Sequence, residues 1–238
     1  MTKLVGISGG KDSTAMALRL QEVEPDDYIF AITPTKRELP EMEAHWLKLE
    51  CLLGKPLVRI PGPSMDELIA RFKMLPNFWA RWCTRMIKIE PFMEYAKSIA
   101  PCTTYIGIRA DEEAREGTNW KGFENIRQDF PFQRWGWGID EVVDYLKVRG
   151  VEIPKRTDCD ICFYQRLIEW YELWKNHPDL WKQGEDHEQQ TGHTFRSPQR
   201  DSWPAAMSEL RAKFEAGEIP RDTRNARNRK TMCSWCSR

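Results

Sequence analysis

The first half of the chain alternates between two hydrophobic rhythms. Residues 3–7 (KLVGI) are a short apolar run of the kind that forms a buried strand, and residues 15–23 (AMALRLQEV) repeat apolar side chains at helical spacing. Between them stands SGGKDST, so the unit is strand, glycine-rich loop, helix. A second strand is predicted at 28–32 (YIFAI), a helix at 41–53 (EMEAHWLKLECLL) ended by Gly54, and a third strand at 56–60 (PLVRI). Residues 64–71 and 86–100 read as helices and 104–108 (TYIGI) as a fourth strand. Strands alternating with helices predict βαβ units, a parallel sheet and a doubly wound α/β fold.

After about residue 117 the rhythm changes. Residues 117–137 are loop-like and aromatic, 139–148 (IDEVVDYLKV) form an amphipathic helix, and VRGVEIPKR follows as a turn-rich link. Further helices are expected at 162–175, stopped near Pro178, and at 202–216. The stretch 221–230 (RDTRNARNRK) is basic and polar. The pattern predicts a nucleotide-binding α/β domain over 1–115 and a helical, cysteine-bearing C-terminal region over 116–238.

The loop has a direct chemical reading. Gly9 and Gly10 let backbone N–H groups turn inward without Cβ clashes, forming an anion nest, and the following helix adds its positive N-terminal end. Lys11 supplies a point charge, and the hydroxyls of Ser8, Ser13 and Thr14 can donate to phosphate oxygens. A carboxylate beside phosphates is repulsive unless it holds a cation, so Asp12 is assigned to Mg²⁺, which binds through one or two carboxylates plus phosphates. The spacing is not G-x-x-x-x-G-K-[ST], so this is a different phosphate loop from the Walker type.

Charge and composition narrow the setting. The 36 basic and 36 acidic residues cancel, so the overall field does not mark a nucleic acid or membrane partner, although a local basic face stays open. No apolar run approaches the roughly 18 residues a membrane span needs. The start MTKLVGISGG runs straight into the motif, which predicts no signal peptide and a cytoplasmic location. In that setting the seven cysteines argue against a disulfide framework. Cys159 with Cys162 and Cys233 with Cys236 form two C-x-x-C pairs, which could give four thiolates to a structural Zn²⁺ or to a [4Fe–4S] cluster, or serve as a redox dithiol. Cys51 and Cys102 sit among apolar residues and read as small core residues. His45 reads as packing, and His177, His187 and His193 as solvated side chains. Trp79, Trp82, Trp120, Trp135 and Trp137 offer rings for core packing or for stacking a base, and the basic stretch 221–230 offers charges for nucleic-acid phosphates.

The segment Ser8-Gly9-Gly10-Lys11-Asp12-Ser13 resembles the SGGxDS signature of the PP-loop ATP pyrophosphatase superfamily, which follows the first strand there as it does here. Three more segments are similar to its phosphoadenosine-phosphosulfate (PAPS) reductase-like branch, in the same order. They are Thr35 to Pro40 (TKRELP), Arg81-Trp82-Cys83-Thr84-Arg85-Met86-Ile87-Lys88-Ile89-Glu90-Pro91, and Gly107-Ile108-Arg109-Ala110-Asp111-Glu112 with Arg115 close behind. Cys159-Asp160-Ile161-Cys162-Phe163-Tyr164-Gln165, with Trp170 and the run His177-Pro178-Asp179-Leu180, looks like uncharacterised PAPS-reductase-like proteins. The resemblance implies an adenine nucleotide alpha hydrolase-like fold with ATP and Mg²⁺ as cofactors. It implies nucleotide contacts from residues 8 to 14 with Arg81, Arg85, Gly107 and Arg109, and catalytic roles for Lys11, Asp12, Lys88 and Arg109. It also brings in Cys83, because relatives bind clusters through a cysteine of that segment; Cys83, Cys159 and Cys162 would leave one iron open. The thioredoxin-dependent reductases end in a Glu-Cys-Gly-x-His-like tail, whereas this chain ends CSWCSR.

Three functions follow from the resemblance. One is adenylation, in which a nucleophile attacks the ATP α-phosphorus, pyrophosphate leaves and AMP is later displaced, with sulfur transfer to a nucleic acid or nucleobase as one form. Another is reduction of PAPS or adenosine-phosphosulfate. The third is a nucleotide-binding module without turnover. A nucleic-acid or small-molecule second substrate is expected, no membrane partner, and no particular oligomeric state.

Overall fold

The computed structural model describes residues 1–112 and 123–223. Arg115, Trp120, Cys233, Cys236 and most of the basic stretch lie outside the described residues.

Five strands, β1 (Thr2–Gly6), β2 (Tyr28–Ile32), β3 (Val58–Arg59), β4 (Cys102–Tyr105) and β5 (Ile126–Asp129), form one parallel sheet in the order β3-β2-β1-β4-β5. The chain winds from β1 outward through β2 to β3, then returns to place β4 on the other side of β1. The junction of β1 and β4 is therefore the topological switch point, where parallel sheets open a crevice beyond their carboxyl ends. The doubly wound α/β reading holds.

Helices α1 (Lys11–Val23), α2 (Pro40–Leu53), α5 (Pro131–Trp135) and α6 (Ile139–Val148) bury Met16, Leu20, Trp46, Phe132 and Val142 against Val5 and Ile7 on one face of the sheet. Helix α4 (Glu90–Ser98) lays Phe92 and Ala96 on Leu4 and Cys102 on the other. A second core gathers α3 (Met65–Phe72), α7 (Leu167–Asn176), α8 (Pro178–Thr191) and α9 (Met207–Glu215) around Trp170, Trp181 and Phe214. The tryptophans of this half are largely packing residues. Cys102 is wholly buried, as expected, while Cys51 is exposed. Among the described residues no helix is long and apolar enough to cross a membrane.

Five local expectations need correction. Residues 126–129 (IRQD), read as loop, form the edge strand β5; only Ile126 is buried, so an edge position supplied little apolar alternation to detect. The third strand shrinks to two residues because Pro56 and Pro61 lack the N–H a ladder needs. Helix α7 starts at Leu167 rather than 162, since residues 159–165 turn around Asp160, and α9 starts at Met207, after Pro204. Pro178 starts α8 rather than simply stopping its predecessor: its fixed φ and missing N–H suit the first turn of a helix.

Candidate active site

The loop after β1 is tied together by its own side chains. Ser13 Oγ accepts from the Ser8 N–H at 3.1 Å and donates to the Gly10 carbonyl at 3.2 Å, and Ser8 Oγ accepts from the Gly10 N–H at 3.2 Å. These bonds turn the chain so that α1 begins at Lys11, and the first amides of any helix lack partners within it. Gly9 sits at φ +78°, and a Cβ there would fall 2.8 Å from Trp46 Nε1 and against Met42. Only glycine fits between the loop and α2. Ser8 faces the cleft, whereas Ser13 and Thr14 are buried in the turn.

Arg109, just past β4, crosses the switch point to α1. Its Nη1 lies 3.2 Å from both Asp12 oxygens, its Nε is 2.9 Å from Asp111 Oδ1, and Nη2 is 3.4 Å from Glu112 Oε1. Burial opposes its charge, but Asp12, Glu112 and Asp111 outweigh burial and push the guanidinium above its ordinary range. Lys11 Nζ adds a 3.0 Å contact to Asp12 Oδ2. The Asp12 carboxylate is thus paired with two cations. Its evident work is to hold Arg109 and Lys11 at the mouth of the loop. Gly107 lies 3.6 Å, measured from a Cβ position, from the Asp12 backbone, an ordinary contact that any small residue would tolerate.

Lys88 joins Ser8, Ile7, Thr33, Glu38 and Trp46 in lining a cleft, and Thr157, Asp158 and Cys159 line it from the C-terminal region. Its relatives in sequence, Arg81 and Arg85, turn elsewhere. Arg85 pairs with Glu90 at 3.2 Å and is 68% exposed, and the Arg81 guanidinium lies 5.4 Å from the Tyr164 ring centre. Residues Thr84–Ile89 form a π-helix, and of the three cations only Lys88 lines the cleft.

Cys83, Cys159 and Cys162 are drawn to one end of the cleft. The Cys162 thiol is held well above its usual range by its hydrogen bond with Cys159 and by burial; burial and the neighbouring Cys159 also raise Cys83. Arg156 is buried beside them, donating to the Cys159 carbonyl at 2.8 Å. The thiols meet in pairs. Among the described residues no three His, Cys, Asp or Glu side chains are arranged to hold a metal ion, so Cys83, Cys159 and Cys162 do not form a ready-made three-thiolate site. Cys233 and Cys236 lie outside the described residues.

What fixes the wall is a group of residues given no role from sequence. Asp160, fully buried, takes Arg37 Nε at 3.0 Å and Nη2 at 2.6 Å, while the Asp160 N–H donates to the Arg37 carbonyl at 2.9 Å. Arg37 also donates to Gln183 on α8 and faces Asp66, which accepts from His187 at 3.0 Å. His187 and His177 are therefore paired rather than simply solvated; His177 Nε2 lies 3.1 Å from Glu41. His45 is buried against the Gly9 backbone, and burial lowers its pKa. A carboxylate set between Cys159 and Ile161 was the available signal, but nothing in the sequence paired positions as far apart as Arg37 and Asp160.

The chain is 27% identical over 229 residues to an uncharacterized protein of Methanocaldococcus jannaschii, an alignment covering 89% of this chain and 54% of that one. It thus spans about half the length of that curated relative. A solved phosphoadenylyl-sulfate (PAPS) reductase from Candida auris, in a phosphate complex, superposes with a TM-score of 0.49 at 16% identity, covering 64% of this chain and 75% of the other. Residues 3–156 match the model of the phosphoadenosine phosphosulfate reductase domain, and the chain belongs to that family.

Proposed function

We propose that the cleft binds ATP and cleaves it between the α and β phosphates to adenylate a second substrate. The observation that carries this reading is the convergence, at the switch point, of a glycine loop, the N-terminus of α1 and three cationic side chains, Lys11, Lys88 and Arg109. An in-line displacement at phosphorus asks a protein mainly for positioning and for neutralisation of charge. Loop amides and Ser8 would hold the polyphosphate. Lys88 would face the reacting centre from the opposite wall, and Asp12 would keep Arg109 and Lys11 oriented. Sulfur transfer is the form of second step that the nearby thiols suit. Magnesium and an iron–sulfur cluster belong to the family expectation.

A second reading is favoured by Cys159, whose thiol lines the cleft beside Cys162. A sulfonucleotide bound there could be reduced by that dithiol. Two electrons pass to the sulfonyl group, its bond to the nucleotide phosphate breaks to release sulfite, and the thiols become a disulfide. Incubating the protein with ATP and with PAPS separates the two. Pyrophosphate release from ATP supports adenylation, and sulfite release from PAPS supports reduction. Calorimetry showing that ATP, AMP and PAPS all fail to bind would sink both.

A further inference from the structure

The cleft carries two opposite charges that do not pair with each other. Lys88 lines it without an ion pair among the described residues, and Glu38 lines it from the turn after β2. Only one oxygen of that carboxylate is engaged. Glu38 Oε1 accepts from the Thr35 N–H at 2.6 Å and from the Thr35 hydroxyl at 2.7 Å, while Oε2 has no partner among the described residues. Thr35 is itself fixed, because its hydroxyl oxygen accepts from the Arg37 N–H at 3.2 Å and its carbonyl from the Met65 N–H at 3.1 Å. The carboxylate is therefore held in place with one acceptor to spare. Arg37, beside it in sequence, is buried and bound by Asp160, and Asp158, the other carboxylate of the cleft, takes Arg156 Nε at 3.3 Å. Among the described residues that line the cleft, Lys88 is the one cation.

We propose that Glu38 accepts a hydrogen bond from the ribose of the bound nucleotide, so that the cleft takes adenine nucleotides with free ribose hydroxyls and rejects 3′-phosphorylated ones. The inference rests on the reading that an adenine nucleotide sets its phosphates on the loop at Ser8. Strands β1 and β2 are parallel neighbours, so their carboxyl ends bring Ile7 and Ser8 from one, and Thr33 and Glu38 from the other, to the same cleft. A carboxylate beside phosphates repels them and so must meet a donor. The donors of the nucleotide are its ribose hydroxyls and the adenine amine, and the ribose adjoins the α-phosphate. Dinucleotide-binding folds meet the same need with a carboxylate downstream of the glycine loop, which bonds a ribose hydroxyl, whereas an arginine there accommodates a ribose phosphate. This cleft has the carboxylate and, among its described lining residues, no arginine. A 3′-phosphate would remove a donor and add like charge beside Glu38. Were the cleft to reduce a sulfonucleotide, its substrate would then be adenosine-phosphosulfate rather than PAPS.

The test is calorimetry of the full chain with AMP, 2′,3′-dideoxy-AMP and adenosine 3′,5′-bisphosphate, with ATP alongside. The wild type should bind AMP about tenfold more tightly than the dideoxy nucleotide, the loss expected for one hydrogen bond to a charged acceptor, and more tightly still than the bisphosphate. Glu38→Gln should weaken AMP and narrow its advantage over the bisphosphate severalfold. Glutamine keeps an acceptor for Thr35, and a general loosening of the turn would weaken both nucleotides alike, so the ratio is the readout. Equal wild-type affinity for AMP and the bisphosphate would overturn the inference, as would full affinity for the dideoxy nucleotide or a ratio unchanged in Glu38→Gln. Each of those results would leave nucleotide binding at the loop in place. Absence of binding by AMP and ATP alike would instead overturn the nucleotide reading, and this inference with it.

Discussion

Removing the Asp160 carboxylate should be among the most damaging single changes in the cleft wall. It is fully buried and accepts two bonds from Arg37, at 3.0 and 2.6 Å, and one from the Ile161 N–H at 2.9 Å. Hydrogen bonds to charged groups contribute about 1.5–3 kcal/mol each, but the dominant loss is the guanidinium left buried without its partner. Breaking such a pair costs about 3–5 kcal/mol, a large share of a typical domain stability of about 5–15 kcal/mol. Asp160→Ala should therefore lower the unfolding free energy by about 3–5 kcal/mol, read by urea titration followed by circular dichroism and tryptophan fluorescence. Arg37→Ala should differ in its pH dependence. Burial pushes the Asp160 carboxyl up to about 6 from an ordinary 3.8, with Arg37 pulling the other way. A folded pKa above the unfolded one means that the native state holds the proton more tightly. The site is then most favourable below the ordinary value, and stability falls as pH rises through that window. Without Arg37 the anion loses its main support, so Arg37→Ala should cost more near neutral pH than at about pH 5, where the carboxyl is protonated. An Asp160→Ala loss below about 1 kcal/mol, or an Arg37→Ala loss equal at both pH values, would refute the reasoning.

Gly9→Ala should both destabilise the fold, by about 1–3 kcal/mol for a strained φ, and abolish ATP binding in calorimetry, because its Cβ would fall 2.8 Å from Trp46 Nε1; wild-type affinity would contradict this. Lys88→Ala should weaken ATP about tenfold while leaving the melting temperature unchanged, as expected for a charged contact made only to ligand. Glu188 accepts from the Phe195 and Met207 N–H groups at 3.0 and 2.7 Å, and burial pushes its carboxyl to about 7 from 4.5. Wild-type stability should fall as pH rises through that interval, and Glu188→Gln should remove this part of the slope in melts taken across it; parallel slopes would exclude the assignment.

The parts of the site legible in the sequence are those built from near neighbours. A strand, two glycines and a helix start are contiguous, so the phosphate loop and its helix follow from local chemistry, as do the alternating elements of the sheet. Cys83 and Cys162 each approach Cys159. What was not legible shares a cause. The resemblance put Arg81, Arg85 and Lys88 at the nucleotide, but of the three only Lys88 lines the cleft. The pairing of Asp12 with Arg109 joins positions 97 residues apart. Glu188, Arg37 and Asp160 were given no role because residue type says nothing of a partner brought in from elsewhere in the chain.

The distribution of the cleft over the chain bears on what sets its chemistry. The family model ends at residue 156, and Thr157, Asp158 and Cys159 line the cleft immediately after it. A Cβ on Gly10 would lie 3.6 Å from Thr157 Oγ1, so this segment rests directly on the phosphate loop. On the proposed reading the loop, Lys88 and Arg109 would hold an adenine nucleotide, but holding it does not decide between attack on phosphorus and transfer of electrons to sulfur. What decides is the group presented across the cleft, and here that group is a thiol-bearing turn pinned by Arg37 and backed by Arg156. If that pinning sets the chemistry, the conservative change Asp160→Asn should leave ATP affinity near wild type while altering the reactivity of the cleft thiols toward a disulfide reagent. Equal loss of nucleotide binding and thiol reactivity would instead mean that the turn and the loop form a single binding element.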